Sequence, residues 1–246
     1  MPELTITQYL IAFFCAYIFG VAKAGIKGIG IVAIPLMAIV FGGKASTGIV
    51  LPILIMADCF AVWYYNQHAR WKDLRPMLPW LFIGVLLGVW VGKDLPEEQF
   101  RIAMGSIILF CVGILFIWDR KKDKTVPDWW WFSILMGLVS GFTTMVGNLA
   151  GAFVTLYFLS LRLPKTAFIA TTAWLFFIVN WFKVPFHIWV WETITWETFK
   201  LNLLLIPGIL AGLLTGVYVV KRIKEWYYRQ LILWLTAIGA ILIFFS

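Results

Sequence analysis

The chain has 246 residues, of which 62% are hydrophobic and 13% are charged, and its net charge is +8. Soluble domains carry roughly 25% charged residues, so this composition excludes an ordinary water-soluble protein and predicts a polytopic all-α membrane protein. In such a chain the positive charge indicates basic cytoplasmic loops and an anionic cargo rather than nucleic acid. The three cysteines lie in apolar runs without metal-ligand spacing, and no disulfide, metal site or cofactor is predicted.

The first half of the chain opens with an apolar run that is too long for one membrane helix. Residues 5–42 would extend about 57 Å as a single helix, whereas the hydrocarbon core is about 30 Å thick. Glycines at 25, 28 and 30 predict a break into two short arms. A span at 44–65, a basic loop at 66–75 and two further spans at 78–92 and 100–118 are predicted to follow.

The second half repeats this order after a charged linker at 119–128. A second overlong run, 129–161, is interrupted by a polar, glycine-containing bend at 143–151. Spans are predicted at 164–183, 199–220 and 227–245, with an aromatic, mildly acidic connection between the first two of them.

Direct alignment of the chain with itself indicates an internal duplication. Residues 79–117 align without a gap to 207–245, and ten of the 39 pairs are identical. An offset of 121 aligns the two breaks, so that Lys23 pairs with Thr144 and Lys27 with Asn148. We therefore expect two homologous repeats, 1–118 and 129–246, joined by the linker 119–128 into one membrane domain.

Loop charge predicts how the repeats are oriented. Five segments per repeat place the two halves in opposite orientations, because five is odd. The loops on one side then hold 13 of the 20 Lys and Arg residues, and the loops on the other side hold Lys44, Lys93 and Lys183. The positive-inside rule makes the basic side cytoplasmic and both termini periplasmic. A single crossing by each broken run would divide the basic loops between the two sides and is disfavoured. Re-entrant hairpins and pairs of short spans both remain open for the arms.

The two bends are the strongest candidates for a substrate site. Irregular backbone at membrane depth occurs where protein or a water-filled cavity satisfies it, and lysine beside glycine N–H groups favours anions. The predicted ligands in the bends are Lys27, Gly28, Gly30, Thr143, Thr144, Gly147, Asn148 and Gly151. Alternatively, Lys23 and Lys27 extend their amines to a membrane surface because the arms are short.

A second group of candidates lies just beyond the bends. Lys44 and its counterpart Lys165, together with Thr171 and Thr172, are predicted as further substrate ligands, with helix capping by nearby hydroxyls as the alternative. Asp58 is the only carboxylate within a predicted span and lies close to the repeat equivalent of Asn180. This pair is predicted to relay protons or to balance a lysine, or else to be a structural contact between helices.

Three segments of the chain resemble the TauE/SafE sulfite exporter family. They are GLVSGFTTMVGNLAGAF at 137–153, LRLPKTAFIATTAWLFFIVNWFKVPF at 161–186 and AGIKGIGIVAIPLM at 24–37. The resemblance extends over nearly the whole chain through the duplication. It implies a bacterial inner-membrane transporter of sulfite, sulfonates such as sulfoacetate, or related sulfur anions.

Three hypotheses of function follow from these features. The first is a secondary transporter that exports a small sulfur-containing anion by alternating access about a site near the midplane. The second is a passive anion channel, and the third is an integral-membrane enzyme. The enzyme is disfavoured because the spans carry no cluster of His, Asp and Glu, and both histidines, His68 and His187, are predicted near loops. The identity of the anion, a proton as coupling ion, the direction of transport and a homodimer are left open.

Overall fold

The structure is a computed structural model that describes residues 4–26, 28–100, 102–103, 106, 130–224, 227–228 and 231. The described residues form helices and no strand. The helices are α1 (Ile6–Lys23), α2 (Gly30–Phe41), α3 (Gly43–Tyr65), α4 (Trp71–Leu74), α5 (Leu78–Lys93), α6 (Trp130–Gly147), α7 (Gly151–Ser160), α8 (Lys165–Trp189) and α9 (Trp196–Arg222), with a 3₁₀ turn at Asn66–His68. The linker 119–128 and nearly all of the predicted spans 100–118 and 227–245 lie outside the described residues.

Five of the described helices are long and apolar enough to cross a membrane. They are α1, α3 with its 3₁₀ extension, α6, α8 and α9, while α2, α5 and α7 are shorter apolar helices. The prediction of an all-α polytopic membrane protein is therefore confirmed.

Local sequence determines where several helices begin. Thr5 accepts from the Gln8 backbone while the Gln8 side chain accepts from the Thr5 backbone, which forms a capping box at the start of α1. Helix α9 begins with the same reciprocal pair between Thr195 and Thr198. At the start of α3 the carboxylate of Glu97 accepts from the backbone of Gly43, so an acidic side chain distant in sequence satisfies that helix end.

Helices of the two halves pack against one another in a reciprocal pattern. Helix α1 of the first half packs along α9 of the second, and α6 of the second packs along α5 of the first. The remaining two helices, α3 and α8, pack against each other, and each also contacts elements of both halves. Each carries a lysine near its start, after the second arm of its half. Corresponding helices of the predicted repeats thus make corresponding contacts.

Glycines bring the paired helices into close main-chain contact. A Cβ atom on Gly84 of α5 or on Gly141 of α6 would overlap the main chain of the opposite helix. Gly20 of α1 and Gly212 of α9 are in the same situation at the other pair. Small residues that allow such an approach are typical of helix interfaces in membranes, where packing stabilises association. These contacts agree with a duplication, and the opposite orientation of the repeats stays a prediction.

Helix α8 extends further than the sequence predicts. The predicted span ends at Lys183, but the helix continues to Trp189 and passes through Pro185. Aromatic packing accounts for the extension, because the Phe182 ring lies against Phe82 of α5 and the Phe186 ring lies against Phe182. The placement of Lys183 in an outside loop is therefore wrong, because its side chain is buried within α8. His187 is also buried in α8, but it lies two residues before the end of the helix, and its ring is 2.8 Å from the Thr193 hydroxyl in the following connection, so it is near a loop as predicted.

Candidate functional site

The first bend joins α1 to α2 through backbone conformations that favour glycine. Helix α1 ends at Lys23 and α2 begins at Gly30, and Gly25 and Gly28 have φ angles of 131° and 94°. A side chain at either glycine would be strained in this left-handed region. The predicted break at these glycines is confirmed.

The second bend joins α6 to α7 and is shorter than the sequence predicts. Helix α6 ends at Gly147 and α7 begins at Gly151, so Thr143 and Thr144 still belong to a helix. Asn148 has a φ angle of 56°, and its N–H donates to the Thr144 carbonyl at 3.0 Å. This is a left-handed helix C-cap, a conformation that asparagine tolerates better than most residues.

Hydroxyl groups satisfy the exposed carbonyls of the first bend. The Tyr65 hydroxyl donates to the Ala24 carbonyl at 3.0 Å, and the Tyr228 hydroxyl donates to the Gly25 carbonyl at 2.6 Å. Such partners are needed wherever a helix is interrupted away from water. The first bend is thereby held by one tyrosine from each half of the chain.

A cavity of about 70 Å³ lies between the two bends. A single water needs at least about 10–15 Å³, so this space holds several waters or one small ion. Its polar and glycine lining consists of Lys23, Gly28, Gly30, Thr144, Asn148, Gly151 and Asn180. Its apolar lining consists of Phe19, Ala22, Ile31, Ile34, Leu54, Leu149 and Phe176. Both bends therefore contribute to one site, together with α3 and α8.

Two helix N-termini meet at this cavity. Gly30 begins α2 and Gly151 begins α7, and both glycines line the space. No side chain caps either helix at its N-cap residue, Ile29 or Ala150. A hypothetical Cβ at Gly151 would meet nothing within 4 Å, so the start of α7 is open. In α2 the N–H groups of Ile31 and Val32 already donate to the Gly28 and Ile29 carbonyls at 3.2 Å, so the two helices favour an anion chiefly through the partial positive charge of their N-termini.

A buried ion pair lies beside the cavity. The Lys23 amine is 2.7 Å from one carboxylate oxygen of Asp58, and the Asn180 amide donates to the other oxygen at 2.7 Å. The same amine lies 4.2 Å from the centre of the Phe176 ring. Asp58 and Asn180, which the sequence predicts as a pair, are therefore brought into contact. Lys23 is directed inward to a carboxylate, which disagrees with extension of its amine to the membrane surface.

Lys183 is a residue of this site that the sequence analysis missed. Its amine donates to the Asn148 side-chain oxygen at 2.6 Å and to the Thr144 hydroxyl at 3.3 Å, and the side chain is fully buried. Asn148 in turn donates its amide to the Thr47 carbonyl of α3 at 3.2 Å. Asn148 therefore bridges α3 and α8. A lysine three residues after Asn180 in an aromatic run was the available signal, because residues three apart share a helix face.

Several predicted ligands lie away from the cavity lining. Thr143 and Thr171 donate to carbonyls four residues earlier in their own helices, and Thr172 donates to the carbonyl three residues earlier. The Thr171 hydroxyl also accepts from the Arg70 backbone at 2.9 Å. Gly147 is the last residue of α6. These contacts are structural, and a ligand role for the four residues stays a prediction. Lys27 lies outside the described residues.

The equivalent lysines Lys44 and Lys165 contact helix C-termini. The Lys44 amine donates to the Lys93 carbonyl at the end of α5, at 2.8 Å. The Lys165 amine donates to the carbonyls of Val220 and Ile223 at the end of α9, at 3.1 and 2.7 Å. Each lysine thus stabilises the negative end of the fourth described membrane helix of its own half. Neither lines the cavity, so their role as substrate ligands stays a prediction.

The fold and this cavity define a polytopic α-helical membrane protein with a lysine-containing polar site between two interrupted helices. Residues 9–243 match the sulfite exporter TauE/SafE family. The match spans nearly the whole chain, and the chain belongs to this family of transporters. No curated protein and no solved structure matches the chain.

Proposed function

We propose that the chain is a secondary transporter that exports a small sulfur-containing anion, such as sulfite or an organosulfonate, through the cavity between the bends. One observation carries this proposal: two uncapped helix N-termini and the buried Lys23 side chain line a single cavity of ionic size, and buried Lys183 donates to two of its lining residues. Water is replaced around the anion by the N–H groups at Gly30 and Gly151 and by polar side chains of both bends. Membership in a transporter family supports the same conclusion.

The reciprocal packing of the two halves supports alternating access. Helices α1 and α9 form one pair and α5 and α6 the other, while the cavity lies between the bends that follow α1 and α6. Rocking of one set of helices against the other would expose the same cavity to each side in turn. The repeats are proposed to be inverted, with both termini periplasmic and the linker 119–128 cytoplasmic in a bacterial inner membrane. Reporter fusions at Ser246 and Lys122 should then report opposite compartments.

Asp58 is proposed to couple transport to protons. An anion in the cavity competes with the Asp58 carboxylate for the Lys23 amine, since Lys23 lines the cavity and lies 2.7 Å from Asp58. A carboxylate displaced from its lysine gains a proton more readily, so anion binding would favour proton uptake. Lys183 adds to the positive field that opposes this uptake. Normal transport by Asp58→Asn across the pH range would make Asp58 a structural residue.

Flux in liposomes tests the proposed function directly. Purified protein is reconstituted in vesicles loaded with unlabelled sulfite, and uptake of labelled sulfite is followed with time. A transporter gives saturable uptake and transient accumulation by counterflow, whereas a passive channel gives neither. Sulfate, chloride and a short organosulfonate are used as competitors to define the anion. Absence of labelled flux above protein-free vesicles, for every sulfur anion, would contradict the proposal.

A further inference from the structure

Lys183 occupies an unusual electrostatic position next to the cavity. The role inferred for it below specifies the proposed anion site further and rests on the proposed function. The side chain is fully buried in α8, and its neighbours Asn148 and Thr144 both line the cavity. An ammonium group has three donors, and two of them are directed at this cavity wall. Lys183 therefore lies directly behind the polar surface that an anion would contact.

Neutral groups alone hold the Lys183 amine among the described residues. No described carboxylate lies within 4.0 Å of it, and the nearby Asp58 is in contact with Lys23 at 2.7 Å. Burial of a charge is costly unless a counter-charge or several dipoles compensate it. Hydrogen bonds to neutral groups compensate this cost only in part. An anion in the cavity would therefore stabilise the charged form of Lys183, and Lys183 would in turn stabilise the bound anion.

The described side chains around the cavity carry one net positive charge when both lysines are counted as protonated and histidine as neutral. Lys23 and Lys183 each contribute one positive charge, and Asp58 contributes one negative charge. The Lys23 charge is balanced by direct contact with Asp58, whereas Lys183 makes no direct contact with a described carboxylate and interacts with Asp58 only at a longer distance. The positive field at the cavity consequently depends on α8 and not only on the two bends.

We infer that Lys183 is the positioning residue that supplies the unbalanced positive charge of the anion site and holds Asn148 against the cavity. The net charge of Lys23, Asp58 and Lys183 then sets the affinity for the anion.

Three variants separate the charge of Lys183 from its hydrogen bonds. Lys183→Gln keeps a donor for Asn148 but removes the charge, and Lys183→Met removes both. Sulfite binding to the purified full-length chain is measured by calorimetry and by the shift in melting temperature. Lys183→Gln and Lys183→Met should both bind about tenfold to a hundredfold more weakly than wild type. Lys72→Gln, which removes an exposed lysine on α4, is the matched control and should bind like wild type.

Charge rescue provides a readout that a purely structural role would not change. Asp58→Asn alone raises the net charge by one and should bind sulfite more tightly than wild type. The double variant Lys183→Gln/Asp58→Asn restores the wild-type net charge and should recover at least about tenfold of the lost affinity. If Lys183→Gln cannot be purified, Asp58→Asn alone tests the inference, because unchanged or weaker sulfite binding by this single variant overturns it.

The outcomes distinguish this inference from the proposed function. Weak binding by both Lys183 variants with rescue by Asp58→Asn supports the inference. Wild-type affinity in Lys183→Gln, or a double variant that binds no better than Lys183→Gln, overturns it while sulfite binding by the wild type still supports the proposed function. A wild-type chain that binds neither sulfite nor an organosulfonate overturns both.

Discussion

The two bends share a backbone plan but differ in how they obtain charge. Each follows a glycine-packed helix, leads into a short uncapped helix and lines the same cavity. The first bend carries its own lysine, Lys23, which pairs with Asp58 of the same half. The equivalent position in the second bend is Thr144, and the charge there comes from Lys183 on α8.

This difference shows which features of the two halves depend on packing and which do not. The helix breaks and the close helix contacts occur in both halves. Both features depend on backbone geometry, which the two halves share. An anion instead responds to the summed field at the cavity, and charges at several places around it produce that field equally well. The two halves therefore keep the same shape while their ligand groups differ.

Removal of Lys23 should have the largest effect on stability. Lys23→Met deletes one partner of a buried ion pair, which typically costs about 3–5 kcal/mol of folding free energy. The free energy of unfolding is measured by denaturant titration in mixed micelles. Thr144→Val, at the equivalent position of the second bend, removes the hydroxyl that accepts from the Lys183 amine and should cost no more than about 1.5–3 kcal/mol. Equal losses in the two variants would contradict the contrast between the bends.

The charged residues around the cavity were only partly predictable from the sequence. Lys23 and Asp58 stand out because each is a charged residue within an otherwise apolar run. Lys183 does not, since it comes shortly before Pro185 and a run of tryptophans that is also typical of a membrane interface. Contact between α5 and the end of α8 keeps Lys183 within the helix. Aromatic packing between distant segments cannot be recognised in one sequence.

Glycine substitutions should affect the two halves equally. Gly141→Ala in α6 and Gly212→Ala in α9 each introduce a Cβ that overlaps the opposite main chain, and overpacking of this kind costs about 1–3 kcal/mol. Gly151→Ala is the control, because its Cβ would meet nothing within 4 Å. Unfolding free energies are compared for the three variants. A loss confined to one of the two interface glycines would break the equivalence of the helix pairs.

Backbone and side-chain contributions of Asn148 can be separated at the second bend. Its φ of 56° favours glycine over alanine, and left-handed backbone costs an ordinary residue roughly 1–2 kcal/mol. Asn148→Ala should therefore be less stable than Asn148→Gly by about that amount, while both lose the hydrogen bonds to Lys183 and Thr47. Thermal and denaturant unfolding measure the difference. Equal stability of the two variants would mean that the bend relaxes to another conformation.

The overall fold could be predicted more fully than the site. Excess length in the runs 5–42 and 129–161 requires a break, and glycine and asparagine identify where each break lies. Most contacts between distant parts of the chain could not be predicted. The approach of Tyr65 and Tyr228 to the first bend, and of Lys44 and Lys165 to helix C-termini, depends on side chains separated by many residues. No local pattern specifies such contacts.

Loss of a tyrosine hydroxyl at the first bend should have the smallest effect. Tyr65→Phe removes the donor to the Ala24 carbonyl and keeps the ring, so the cost is one buried hydrogen bond, about 0.5–1.5 kcal/mol. Tyr218→Phe, at an exposed tyrosine on α9, is the control and should be unchanged within error. Because Tyr228 holds the adjacent Gly25 carbonyl, the double variant Tyr65→Phe/Tyr228→Phe should lose more than the sum of the two single variants if either hydroxyl alone keeps the bend closed. Strictly additive losses in unfolding free energy would show that the two carbonyls are held independently.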